Sequence, residues 1–160
     1  MNSLLKILLS GAITFILVLN GTTAIAEDSP LDVNLESFLQ NQLDNSLYKI
    51  DAETAVKPGD VIVYRATYHN LSANTLSGIA ATIPVPKGTV AVLENDEPVP
   101  PMASVNGRTF HSTPLLRTLP NTGAQEPIPA AEYVAMRWPV ASLPAGESFT
   151  AEIRVRVTEE

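Results

Sequence analysis

The sequence predicts an all-β protein, an antiparallel β-sandwich with one long Pro-rich connection. Apolar and polar residues alternate with a period of two in several short segments, as they do in strands that bury one face. Turns that contain Pro and Gly separate these segments. The chain has no Cys, so packing between sheets has to stabilise the domain without disulfides.

Residues 1–26 have the features of a secretory signal peptide. A short basic segment precedes an apolar run at residues 7–19, and Ala24 and Ala26 form an A-x-A site. The run is shorter than the roughly 20 residues of a membrane-spanning helix. An uncleaved amino-terminal anchor is the alternative. The small-residue site favours cleavage after Ala26, which leaves a single mature domain at residues 27–160 that is periplasmic or secreted.

The composition excludes several classes of partner. The formal net charge is −7, so the chain is acidic. Phosphate backbones and anionic lipid surfaces are negatively charged and bind clusters of Lys and Arg, which an acidic chain does not favour. We therefore expect no nucleic acid. No stretch after residue 26 is apolar enough to cross a membrane, so we also expect no membrane span after signal cleavage. The chain has two His and no Cys, so we also expect no metal and no cofactor.

The first segment of the predicted mature domain fits two patterns. Several of its residues have helical spacing, namely Leu35, Phe38, Leu39, Gln42 and Leu43. Leu31, Val33 and Leu35 alternate instead. We favour an extended first strand within residues 31–50.

Residues 61–69 predict a half-buried strand that follows the turn KPGD. One face carries apolar and aromatic residues, namely Ile62, Tyr64, Ala66 and Tyr68. The other face carries Val61, Val63, Arg65, Thr67 and His69. We expect Tyr64 and Tyr68 to lie in the core.

Further strands follow along the chain. The segments LSGIAATIPVP and TVAVLE indicate two strands, and SVNGRTF indicates a hairpin because Asn106-Gly107 suits a two-residue turn with positive φ. Another strand, within EYVAMRWPV, places four residues on one side, with Trp138 in the core: Val134, Met136, Trp138 and Val140. The last strand has the most regular alternation, with an apolar face of Phe149, Ala151, Ile153, Val155 and Val157.

Residues 95–131 form the predicted Pro-rich connection. More than half of the prolines of the chain lie here, and they rule out a long central strand. Connections of this length are often functional or mobile.

Two parts of the chain together resemble the DUF11 family of bacterial envelope and secreted domains. They are AVKPGDVIVYRATYHNLSANTLSGIAATIPVPKGT and YVAMRWPVASLPAGESFTAEIRVRV, and the similarity covers about residues 47–158. The matching positions are architectural, namely Pro58, Gly59, Asp60, Tyr64, Asn70, Pro84, Pro86, Gly88, Trp138, Pro144, Gly146 and Glu147. The resemblance implies an immunoglobulin-like β-sandwich in the bacterial envelope and brings no catalytic residues. The large surface proteins of the family contain many copies of the domain, whereas this chain has no internal repeat, which argues against a simple spacer role.

Other candidate sites have simpler explanations. The acidic loop at residues 94–97 lacks the spacing of a calcium loop. His69 and His111 have no third ligand at a known spacing. Asn70-Leu71-Ser72 matches a glycosylation sequon, but a turn at the end of the strand explains these residues better. No G-x-S-x-G elbow supplies a hydrolase nucleophile.

The sequence therefore favours a noncatalytic structural or protein-binding module of the cell envelope, whose partner is an envelope protein. Exposed sheet edges can pair with another chain without leaving a motif. The alternative is a carbohydrate-binding module that recognises peptidoglycan or surface polysaccharide. It requires at least two exposed aromatic residues in one row, and the candidates are Tyr64, Tyr68, Tyr133 and Trp138.

We expect the exported protein to begin at Glu27, which N-terminal sequencing of the protein recovered from cells would measure. Ala26→Lys should block processing, because signal peptidases accept only small residues at this site. The matched substitution Ala145→Lys, in the mature domain, should leave processing unchanged. An Ala26→Lys product that still begins at Glu27 would contradict the predicted site.

Overall fold

The computed structural model describes residues 29–93 and 100–159, which form two packed antiparallel β-sheets and a separate two-stranded ribbon. The predicted all-β sandwich is therefore confirmed. The predicted cleavage site at Ala24 and Ala26 lies outside the described residues, and so does the acidic loop at residues 94–97.

The first sheet contains β1 (Leu31–Gln40), β2 (Leu47–Lys49), β3 (Val61–Asn70), β5 (Thr89–Val92) and β11 (Ser148–Val157). Their spatial order is β2-β1-β3-β11-β5. The second sheet contains β4 (Leu76–Pro84), β6 (Met102–Ser104), β7 (His111–Ser112) and β10 (Ala135–Leu143), in the order β4-β10-β6-β7. The ribbon pairs β8 (Leu116–Thr118) with β9 (Gln125–Pro127), and a short 3₁₀ helix, Ala130–Glu132, follows it.

The first segment is extended, as predicted, but it contains two strands. β1 pairs with β3 over its whole length, and a turn then returns the chain so that β2 pairs with the end of β1. Asn45 supports the turn with a φ of 58°, a left-handed conformation that Asn tolerates better than most residues. The helical spacing has no structural counterpart, because Leu43 lies in the turn and is almost fully exposed.

β3 lies at the centre of the first sheet, between β1 and β11. Its predicted core face is confirmed, with Tyr68 buried and Tyr64 half-buried. The prediction of a half-buried strand is wrong at Val61 and Val63, which are buried on the opposite face. Val63 lies opposite Phe38 on one neighbouring strand and opposite Arg154 on the other, and these large side chains flank it there.

The hydrophobic core lies between the two sheets. Trp138 is 5% exposed and fills the core as predicted, together with Met136 and Val140. Val134, which the alternation places on the same side as these residues, is exposed and directly precedes β10. There its N–H donates to the Ser104 carbonyl, and its own carbonyl accepts from Val85. The apolar face of β11 is confirmed and contributes Ala151, Ile153, Val155 and Val157.

The predicted hairpin at Asn106-Gly107 forms between β6 and β7, but its loop is longer than two residues. Side chains inside the loop explain the difference. The Asn106 carboxamide oxygen accepts from the N–H groups of Arg108 and Thr109, at 2.8 and 2.9 Å, and the Ser104 hydroxyl accepts from Gly107. These bonds stabilise a wide loop in place of cross-strand pairing.

The Pro-rich connection has more structure than predicted. Its described part supplies β6 and β7 to the second sheet and also forms the β8–β9 ribbon. None of these strands exceeds three residues, which agrees with the predicted absence of a long strand. Leu115 and Tyr133 anchor the ribbon, because the buried Tyr133 hydroxyl accepts from the Leu115 N–H at 2.9 Å.

Asn70 joins the end of β3 to two turns. Its side chain is fully buried, and its amide nitrogen lies 2.7–3.0 Å from the carbonyl oxygens of Asn74, Leu143 and Pro144. Its amide oxygen accepts from the Ser72 N–H and hydroxyl. The turn at the end of the strand, expected from the sequon residues, is therefore present. Because the carboxamide is buried and fully bonded, this side chain is not exposed for modification.

The other end of the same strands is held by two more turns. Gly59 has a φ of 90°, and its N–H donates to the Val157 carbonyl at 2.9 Å. The Asp60 carboxylate accepts from the Lys57 N–H within this turn, and the Asp60 carbonyl accepts from Val157. Thr158 donates to Gly88 of the other turn. Both turns therefore fix the end of β11.

We expect Asn70→Asp to destabilise the domain by about 3 kcal/mol or more, measured by urea unfolding. The substitution places a carboxylate beside three carbonyl oxygens and removes the donors that bind them, and unsatisfied buried groups and unpaired buried charges are each costly. The matched control is Asn74→Asp in the same loop, where the side chain is exposed. Equal effects of the two substitutions would contradict the role of the Asn70 carboxamide.

Candidate functional site

The edges of the two sheets are the candidate binding surfaces, because a strand at an edge presents backbone groups that can pair with another chain. Four of the edge strands in the described part of the chain are protected. β2 and β7 contain only three and two residues. β5 contacts the 3₁₀ helix. The fourth, β4, is protected by side chains.

Tyr68 closes part of the β4 edge. Its hydroxyl accepts from the Thr82 N–H at 3.1 Å and lies 3.4 Å from the Thr82 carbonyl oxygen. The Thr82 hydroxyl in turn donates to the carbonyl of Ala80, the next residue that faces this edge. Gly78 distorts the strand further with a φ of 68°. Burial raises the pKa of the Tyr68 hydroxyl above its usual value.

Among the residues that the structure describes, no strand pairs with the outer side of the first part of β1, which is therefore an open edge. β2 covers only the end of β1, where the Ser37 carbonyl accepts from the Ile50 N–H. Successive residues of a strand direct their backbone groups to opposite sides, so Val33 and Leu35 face the same edge as Ser37. The Ser29 hydroxyl bonds the N–H and carbonyl of Leu31. The unpaired part of the edge is therefore centred on Val33 and Leu35.

Apolar side chains are exposed at this same edge. Val33 lies opposite Tyr68 and Leu35 lies opposite Ala66, so both point to the core side of the sheet. They are nevertheless 50% and 45% exposed, and Tyr48 on β2 is 57% exposed. We call Val33, Leu35 and Tyr48 the exposed strip.

The exposed strip exists because the second sheet is narrower than the first. β4, its last strand on this side, packs over β3 and β11. The core side of β1 and β2 therefore extends beyond β4. An added strand at this position would cover side chains that already have the pattern of a core face.

Charged side chains occupy the opposite face of β1. Asp32 is exposed, and Glu36 bonds the Lys49 ammonium through Oε1 at 2.8 Å. This hydrogen bond from Lys49 lowers the pKa of Glu36 below its usual value. Beside Glu36, Arg65 bonds Glu152 and lies 5.0 Å from the centre of the Phe38 ring. The open edge is thus apolar on one face and carries the carboxylates of Asp32 and Glu36 on the other, where Glu36 is already paired with Lys49.

Two concave regions have fewer unpaired polar groups available for a ligand than this edge has. A pocket of about 260 Å³ lies between the sheets beside Met136, Trp138 and Ile153. Its charged lining residues, Glu152 and Arg154, form an ion pair at 3.0 Å. A wider groove lies beside Gly59, whose carbonyl already accepts from the side chains of Gln42 and Arg156.

The architectural positions of the DUF11 resemblance are brought together in the turns and the core. Pro58, Gly59 and Asp60 form the turn at the start of β3, and Pro84, Pro86 and Gly88 end β4 and turn into β5. Pro144, Gly146 and Glu147 form the turn that bonds the backbone of Asn70. These turns hold the fold, and Pro58, Gly59 and Asp60 also line the wide groove together with Tyr48 of the exposed strip.

The remaining candidate residues are separated from one another. His69 lies on the outer face of the first sheet and bonds the Ser148 hydroxyl at 2.9 Å, whereas His111 lies on β7 of the other sheet. Within residues 29–93 and 100–159, no three His, Asp or Glu side chains form a group that could hold a metal. The aromatic residues considered for sugar binding do not form an exposed row, since three of them are buried: Tyr68, Tyr133 and Trp138.

No family, curated protein or solved structure matched this chain in comparisons of all three kinds. Within the described ranges, no helix has the length and apolar character needed to cross a membrane.

We expect Val33→Thr to change the free energy of unfolding by less than about 0.5 kcal/mol, because this side chain is half exposed in the free protein. The same substitution at the fully buried Val155 should cost about 1–3 kcal/mol, since its hydroxyl would be buried without a partner. Urea unfolding of both variants measures the difference. Equal losses would show that the exposed strip belongs to the folded core.

Proposed function

We propose that this protein is a noncatalytic protein-binding module of the bacterial cell envelope, and that it binds an extended segment of its partner at the open edge of β1. The observation that carries the proposal is the coincidence of unpaired backbone groups with exposed apolar side chains at Val33 and Leu35. An edge of this kind is an aggregation hazard unless a partner covers it.

The mode of binding follows from the backbone. A partner strand beside β1 would exchange main-chain hydrogen bonds with Val33 and Leu35, and its alternate side chains would pack on the exposed strip. Main-chain bonds supply affinity without a sequence motif. This explains how a binding module can lack any recognisable motif in its sequence.

The envelope location rests on the signal-peptide features of residues 1–26 and on the resemblance to the DUF11 family. Membership of that family, and with it an immunoglobulin-like strand arrangement, is part of the proposal. Two features support it. The Pro-Gly-acid turn fixes one end of β3, and Asn70 fixes the other end.

We expect a photo-crosslinking amino acid at Val33 or at Leu35 to give a specific protein adduct in intact cells. Adducts would be resolved by denaturing electrophoresis and identified by mass spectrometry. The matched control position is Leu116 in the β8–β9 ribbon, which is 52% exposed and far along the chain from β1. It should give no adduct of the same mass.

The absence of adducts at Val33 and Leu35 would overturn the proposal. The same adducts at Leu116 would do so too, because they would indicate non-specific contact. An adduct of twice the mass of the chain would identify the partner as a second copy.

A further inference from the structure

We propose that the partner segment is an extended strand with apolar residues on one face and basic residues on the other, in the order basic, apolar, polar, apolar, basic. This inference rests on the proposed function and adds to it the chemistry of the partner. The edge from Asp32 to Glu36 sets the length of the pattern and the position of each charge.

The apolar positions follow from the alternation of the strand. Side chains of neighbouring strands that lie opposite one another share a face of the sheet. Partner residues beside Val33 and Leu35 would therefore lie on the core side, where both side chains are about half exposed. Apolar side chains at these two positions would cover the exposed strip and remove it from water.

The basic positions follow from the opposite face. Asp32, Asn34 and Glu36 point away from the core, and partner residues beside them would point the same way. Oppositely charged residues directly across a strand pair stabilise it. Lys49 already bonds Oε1 of Glu36, so a basic residue on the partner would share that carboxylate. Asp32 is exposed and lies opposite His69 on its paired side.

The same charges argue against a second copy as the partner. Two copies of β1 paired about a two-fold axis at Asn34 would match Val33 with Leu35 favourably on the core side. On the other face, each Asp32 would lie opposite a Glu36 of the other copy. Like charges directly opposite one another destabilise a strand pair, so the edge favours a basic strand over its own sequence.

The test uses the isotope-labelled chain, expressed with its own leader and recovered from the periplasm. Three peptides with acetylated amino termini and amidated carboxyl termini are titrated into it, and NMR spectra measure their binding. The first peptide contains Lys-Val-Thr-Val-Lys. The second contains Glu-Val-Thr-Val-Glu. The third, Val-Lys-Thr-Lys-Val, keeps the composition of the first but exchanges its two faces.

We expect the first peptide to shift the amide signals of Val33 and Leu35 and to bind at least about tenfold more tightly than either of the others. The Asp32→Lys variant should bind the first peptide about three- to tenfold more weakly than the unchanged chain does. The difference in affinity between the first peptide and the acidic peptide should be smaller for this variant. The matched control is Glu159→Lys, which changes the net charge equally at an exposed position beyond β11. Its binding should be unchanged.

Equal binding of all three peptides, or no shift at Val33 and Leu35 up to millimolar concentration, would overturn this inference. If crosslinks at Val33 and Leu35 nevertheless form in cells, the proposed function stands and only the chemistry of the partner is wrong. If those crosslinks are also absent, both fail. Self-association that depends on Val33 and Leu35 would identify a second copy and would equally overturn the basic strand.

Discussion

The buried carboxamide of Asn70 connects parts of the chain that no local interaction could hold together. It binds carbonyl oxygens of its own turn and of the turn that precedes β11, at separations of 4 to 74 residues along the chain. The backbone of Asn70 also exchanges hydrogen bonds with Gly146 and Glu147. Because these contacts fix where β11 enters the sheet, they also support its register with β3. The apolar alternation of the buried face specifies the register, and these buried polar contacts add groups that a shifted strand would leave unsatisfied.

The sheets that these contacts organise differ in width, and this difference produces the candidate site. The first sheet has five strands and the second has four. With β4 packed over β3 and β11, no strand of the second sheet within the described ranges covers the start of β1. Val33 and Leu35 therefore have the alternation of a core strand but the exposure of a surface. A sandwich with sheets of equal width would bury both residues and leave no apolar edge.

The sequence predicted the strands well and the site poorly, for physical reasons. β3 and β11 were predictable because strict alternation is a local signal of a strand with one buried face. Asp44 and Asn45 favour turns and were a signal for the turn between β1 and β2. The prediction of one extended strand for this segment did not use that signal. The exposure of Val33 could not be predicted, since alternation reports which face a residue occupies and not whether an opposing sheet reaches it. The contact between Tyr68 and Thr82 depends in the same way on how the sheets are placed.

The open edge of β1 differs from four other strand edges of the fold, which are protected. The edge strands β2 and β7 are too short to pair with more than a few residues, and the 3₁₀ helix contacts the edge strand β5. The Tyr68 hydroxyl bonds the backbone of the edge strand β4. Proteins protect edges in these ways because unpaired strands aggregate. On the core side of β1 the exposed residues are instead apolar, namely Val33 and Leu35, while the acidic side chains lie on the other face, where they leave the backbone accessible. In the proposed function, the carboxylates on that face would disfavour pairing of the β1 edge with a second copy. The same carboxylates would favour pairing with a partner strand that carries basic residues.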